Sequence, residues 1–185
     1  EEKPLIWRGP MVTQALQQLA FQSNWNDLDY LLVDLPPGTG DAQLTLTQKV
    51  PLAGAIIITT PQDVALADAR KGLKMFEAVG VPVLGVIENM STFICPCCDK
   101  ETEIFGSGGG ERLAQQSGVT LLGKLPLDGR IRAETDGGRP TVVADPDGPI
   151  AKRYREIARA AAAALAKRPK DQRGKFGTIV VEGRK

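Results

Sequence analysis

Three thiols fall within four residues, Cys95-Pro96-Cys97-Cys98; they are the only cysteines of the chain, and it has no histidine. Two thiolates at C-x-x-C spacing, Cys95 and Cys98, can grip one metal from a tight knuckle. Structural zinc and [4Fe-4S] clusters call for about four ligands, so one chain supplies half a site. A second copy of the chain completes it most simply, as a bridged site on a two-fold axis. Other readings stay open. A thioredoxin-like redox pair should follow a strand and open a helix, whereas Asp99-Lys100-Glu101-Thr102-Glu103 leads into Ile104-Phe105-Gly106 more as a hairpin would. Inert surface thiols are a second alternative. A zinc half-site bridging a dimer is a third, because zinc accepts the same thiolates as iron. The spacing does not separate iron from zinc, and it leaves Cys97 without an assigned role.

A second chemical candidate is Asp34-Leu35-Pro36-Pro37-Gly38-Thr39-Gly40-Asp41. A carboxylate at the tip of a buried parallel strand, Asp34, stands where P-loop enzymes place the acid that holds the Mg²⁺ hydration shell. Gly38 and Gly40 let backbone N–H groups approach a phosphate, and Asp41 can cap a following helix. An ordinary strand-to-helix turn uses the same residue types. The lysine-bearing phosphate loop such an enzyme also needs has no full match. The nearest segment, Gly118-Val119-Thr120-Leu121-Leu122-Gly123-Lys124-Leu125, puts a leucine where a hydroxyl belongs and reads as strand. Gly106-Ser107-Gly108-Gly109-Gly110 could hold an anion at a helix N-terminus, but without a lysine it reads as a flexible connector.

These residues need elements to position them. Short apolar runs rich in β-branched residues predict buried strands at 30–33, 55–59, 83–87 and 119–122, with a further one at 141–143. Helices are expected at 11–21, after Pro10, and at 63–79, where Leu66, Ala69, Leu73 and Phe76 share a face and Gly80 ends the run. Two more follow at 110–116 and 150–166. Buried strands alternating with helices predict an α/β fold of three layers, α/β/α, around a mostly parallel sheet. In such sheets ligands bind beyond the C-terminal strand ends, where Asp34 and Asn89 both lie.

At 185 residues the chain suits one domain of ordinary size. Without histidine, Ser-His and Cys-His catalysis and His-ligated zinc are excluded. Twenty-three basic and 22 acidic residues give a net charge of +1, which calls for neither nucleic acid nor an acidic membrane as partner. From Lys167 onward seven residues are basic and two acidic, leaving 16 basic against 20 acidic in the body. A basic tail, 167–185, thus follows an acidic domain, 1–166. No apolar run approaches the ~20 residues that span a bilayer, and no signal pattern opens the chain, so a cytoplasmic setting is expected.

Together, DLPPGTGD, Trp7-Arg8-Gly9-Pro10-Met11, Thr59-Thr60-Pro61-Gln62-Asp63-Val64-Ala65, Gly85-Val86-Ile87-Glu88-Asn89-Met90-Ser91 and the cysteine segment resemble the Mrp/ApbC family of iron-sulfur cluster carrier ATPases. That family is related to the MinD and ParA P-loop NTPases, and the resemblance runs in order from about residue 5 to residue 165. It implies a MinD/ParA-like fold incomplete at the N-terminus, because the family's glycine-rich phosphate loop lies upstream of the Trp-Arg-Gly-Pro segment. It implies that Asp34 belongs to the Walker B and switch region, that Gly38 senses the terminal phosphate, and that Asn89 reads the adenine edge. Pro126, Leu127 and Asp128 would line the base. Cys95 and Cys98, in a segment spanning 89–106, would share an iron-sulfur cluster, [4Fe-4S] in type, across a homodimer and pass it to apo iron-sulfur proteins. ATP and Mg²⁺ would act in the intact protein, and ATPase activity of this stretch without the phosphate loop is not expected. The alternatives are a MinD/ParA-like positioning ATPase and a zinc-bridged dimeric scaffold.

Overall fold

The computed structural model describes residues 9–35, 43, 44, 47, 50–98 and 100–168. Its centre is a parallel sheet of β1 (Ala55–Thr59), β2 (Val83–Glu88) and β5 (Leu121–Lys124), in the order β1-β2-β5. Runs such as Ala-Ile-Ile-Ile-Thr favour strand because β-branched side chains pack well on a pleated surface. The register sets Thr59 beside Glu88 and Glu88 beside Lys124, so the three C-terminal strand ends lie level. A small antiparallel pair, β3 (Phe93–Ile94) and β4 (Glu101–Thr102), stands apart from this sheet.

Alternation along the strands divides the core between the two faces. On one face Ala55, Ile57 and Val86 pack with Leu66, Leu73 and Phe76 of α2 (Asp63–Ala78) and with Leu113 and Ala114 of α3 (Gly109–Gln116). On the other, Ile87, Leu122 and Leu125 pack with Ile157 of α6 (Pro149–Ala166). Burying each such aliphatic side chain contributes about 1.5–3 kcal/mol. Alanines 160 and 161 of α6 bring this helix close to the sheet. The expected three-layer α/β/α arrangement is what forms.

Four local expectations change. Residues 141–143, read as a strand, form the single helical turn α5 (Thr141–Ala144), in which Pro140 O accepts from the N–H groups of Val143 and Ala144. A run of three β-branched residues is too short for periodicity to decide, and the preceding proline opens a helical turn well. The strand expected at 119–122 lies two residues later. Helix α4 (Gly129–Asp136) was not expected; its N-cap, Asp128, accepts from the Arg130 N–H at 2.9 Å. Finally, residues 30–33 are not a strand. Tyr30, Leu31, Leu32 and Val33 are exposed, Leu32 to 86%. An apolar run becomes a strand only where another strand completes its ladder, and among the described residues none lies beside it. Helix α1 (Gly9–Phe21) does form ahead of this segment.

Candidate functional site

The chain leaves the sheet at Glu88, runs out through β3, turns through the cysteines and returns by β4. Phe93 pairs with Thr102 and Ile94 with Glu101, and the Cys95 N–H donates to Lys100 O at 3.1 Å. The thiols therefore occupy the tip of a hairpin, Cys95 half-buried and Cys97 and Cys98 exposed. The Cys97 N–H, the Cys98 thiol and the Cys98 N–H all donate toward the Cys95 sulfur and hold its thiol below the ordinary cysteine range, against a smaller opposing effect of burial. Peptide N–H groups aimed at a sulfur stabilise its thiolate, the form that binds metal. The element that follows the thiols among the described residues is β4, not the helix of a thioredoxin-like pair. Among the described residues no group of three or more His, Cys, Asp or Glu side chains is arranged to hold an ion. What the knuckle presents is a set of neighbouring thiols at a hairpin tip.

Beside it, two loops beyond the strand ends are laced together. The Asn89 N–H donates to Thr59 O at 2.7 Å and the Leu125 N–H to Glu88 O at 2.9 Å. Both the N–H and the hydroxyl of Ser91 donate to Leu125 O, and the Leu127 N–H donates to Thr92 O. Asn89 and the run Pro126, Leu127, Asp128 are far apart in sequence, yet these bonds set their segments side by side. The Asn89 side-chain carbonyl accepts from the Met90 N–H at 2.9 Å, and Met90 adopts a positive φ of 54°. Pro126 is buried, while Asn89, Leu127 and Asp128 are half-buried. The Asp128 carboxylate is engaged by Arg130, whose guanidinium reaches it at 2.7 Å and holds its carboxyl below the usual carboxylate range.

Asp34 is exposed at the end of the unpaired 30–33 segment rather than at the tip of a buried strand. Leu35, next to it, packs against the α2/α3 core. Gly38 and Asp41 lie outside the described residues. The glycine run at 106–110 is no loose connector, because Gly109 and Gly110 are buried. A β-carbon on Gly109 would stand 2.7 Å from Leu66 Cδ1, and one on Gly110 would stand 2.9 Å from Glu88 Cβ. The anion at this helix N-terminus is the protein's own: Glu88 Oε2 accepts from the Gly110 N–H at 2.6 Å. Glu88 is 1% exposed. Its signal in the sequence was a lone charge at the end of an otherwise apolar strand.

A parallel sheet between two helical layers, with its loops gathered at the C-terminal strand ends, gives the chain the α/β fold of the P-loop NTPase class. Beyond the class, the model of the NUBPL iron-transfer P-loop NTPase family matches residues 1–162, and the chain belongs to that family. It is 59% identical over 158 residues to an iron-sulfur cluster carrier protein of Pseudomonas fragi, covering 85% of this chain and 55% of that one. It is 52% identical over 159 residues to the iron-sulfur cluster transfer protein NUBPL of Dictyostelium discoideum, covering 86% and 49%. Among solved structures it resembles a nucleotide-binding protein of Archaeoglobus fulgidus in complex with ADP, with TM-score 0.65, 36% identity, and 75% and 56% of the two chains covered. The cell division ATPase MinD of Pyrococcus furiosus shares the fold at TM-score 0.59 and 22% identity, with 84% and 59% covered. The chain spans about half the length of the curated relatives it matches.

Proposed function

We propose that the whole protein is an iron-sulfur cluster carrier. Two copies hold a cluster between their Cys95 and Cys98 thiolates and pass it to apo iron-sulfur proteins. The observation that carries this reading is the exposed two-thiolate knuckle, which has half the ligands a cluster needs, in a chain whose relatives are named cluster carriers. Exposure suits cargo that must leave, since an acceptor's thiols have to reach the cluster. The lowered Cys95 thiol favours the thiolate, the form that ligates metal.

In this reading residues 1–166 are the C-terminal portion of a P-loop ATPase domain and 167–185 a basic tail. ATP with Mg²⁺ is bound in the whole protein, with Asp34 and Gly38 on the phosphate side and Asn89, Pro126, Leu127 and Asp128 around the base. The lacing of 89–92 with 125–127 supports a shared base-binding wall. The exposed 30–33 segment suits a strand that pairs with a further part of the protein and so sets Asp34 at its tip. Among the described residues no helix is long and apolar enough to cross a membrane. The apolar side of α6 is spent on the sheet, which speaks against a membrane-positioning ATPase acting through that helix.

The test is anaerobic reconstitution of the whole protein with iron and sulfide. Bound iron and labile sulfide are then measured, followed by transfer to an apo [4Fe-4S] protein with and without ATP. Wild type should load about one cluster per dimer and transfer it. Unchanged loading after Cys95→Ser and Cys98→Ser together would sink the proposal, and zinc retained in place of iron, with no transfer, would favour a zinc-bridged scaffold.

A further inference from the structure

We propose that Glu88 is a positioning residue: its buried carboxylate clasps the two feet of the cysteine hairpin and so fixes the direction in which Cys95 and Cys98 are presented. This rests on the reading of that hairpin as the cluster site. The outgoing foot is Glu88 itself, the last residue of β2, and the returning foot is Gly110, in the first turn of α3. Both cysteines lie on the excursion between them, and one hydrogen bond of 2.6 Å, from the Gly110 N–H to Glu88 Oε2, closes its base.

Placing a carboxylate at 1% exposure in an apolar strand costs several kcal/mol unless it is paired and hydrogen-bonded. Here the offset comes from the helix N-terminus, whose N–H groups and dipole favour an anion, and from Lys124 Nζ at 3.9 Å on the neighbouring strand. Lys124 also reaches Glu111 of α3 at 3.3 Å, so the charge network joins β2, β5 and α3. The approach is closed sterically as well: a β-carbon on Gly109 would meet Pro61 O at 2.9 Å, and one on Gly110 would meet Glu88. The returning foot is thereby held against both Pro61 and the end of β2 at Glu88, next to Asn89. A shift in either segment is passed to the hairpin through the Glu88 side chain, which joins its two feet.

Hydrogen exchange on the whole protein tests the clasp without any cluster. Glu88→Met keeps the side-chain length but removes the acceptor; Glu88→Gln keeps an oxygen for Gly110. In the methionine variant amides in 93–110 should exchange about tenfold faster or more, the scale of one hydrogen bond to a charged group, while those of β1 and α2 keep wild-type rates. The glutamine variant should restore slow exchange. After reconstitution, cluster loss to a chelator should quicken in the methionine variant and recover in the glutamine variant. Unchanged exchange at 93–110, equal acceleration throughout the sheet, or failure of glutamine to rescue would each overturn the clasp. Should the methionine variant fail to fold, Glu88→Asp, which withdraws the carboxylate by one carbon, should give the same local acceleration, and its absence would overturn the proposal. A wild type that takes up no cluster would instead overturn the carrier reading and leave the exchange result standing.

Discussion

Ile157 occupies the space in which a β-carbon on Gly123 would stand: its Cγ1 lies 2.5 Å from that position. Glycine at the third position of β5 thus lets α6 rest directly on the sheet. Gly123→Ala should force Ile157 off its site and destabilise the chain by about 1–3 kcal/mol. Urea unfolding would show this as a lower midpoint at unchanged slope, and Ile157→Ala, which removes the clashing Cγ1, should cost less in the Gly123→Ala background than in the wild type.

The knuckle should separate its three cysteines by function. Cys95→Ser or Cys98→Ser alone should abolish stable cluster loading, while Cys97→Ser should leave it near wild type. Absorbance near the cluster bands and iron per chain, measured after the same reconstitution, check this.

Thiolate stabilisation at Cys95 has a direct readout. Its folded value is lowered chiefly by the Cys97 N–H, with the Cys98 thiol next, so its alkylation rate should rise with pH through a midpoint below that of the same peptide unfolded in denaturant. Metal uptake should persist to correspondingly lower pH before protons displace the ion. Cys98→Ala should move the midpoint upward, and mass spectrometry of the alkylated peptide would measure it.

Asp128 caps α4 and pairs with Arg130. Asp128→Ala should cost about 0.5–2 kcal/mol, the range for a lost N-cap. Because the folded carboxyl titrates below its unfolded value, chiefly through the hydrogen bond from Arg130, the ionised group stabilises fully above about pH 4. That part of its advantage over Asp128→Asn is lost as pH falls through the lowered folded value. Thermal melts of the three proteins between neutral and acid pH would show the aspartate and asparagine curves converging.

Residues 30–33 supply a test of the whole protein's architecture. If they carry Asp34 on a paired strand there, their amides should be protected from exchange in the whole protein and unprotected in the chain described here. Equal exchange in both would remove the strand and, with it, the phosphate-side role of Asp34.

What could be read along the chain was local. The strands at 55–59 and 83–87, helices α2 and α6, and the Cys95–Cys98 knuckle each declare themselves through spacing, because periodicity and ligand separation are properties of a few consecutive residues. Neighbourhood was not legible. The glutamate inside Gly-Val-Ile-Glu-Asn-Met-Ser stands out as a lone charge on an apolar strand, but nothing in that run names its partner, the Gly110 N–H, which arrives only after a helix has been laid across the strand ends. The pairing of 89–92 with 125–127, the contact that makes Gly123 necessary and the exposure of 30–33 likewise depend on which surfaces meet. Sequence alone determined which segments could be strands, helices or ligands. Tertiary structure decided their partners, because a hydrogen bond or a close contact needs two groups and the chain states only one of them at a time.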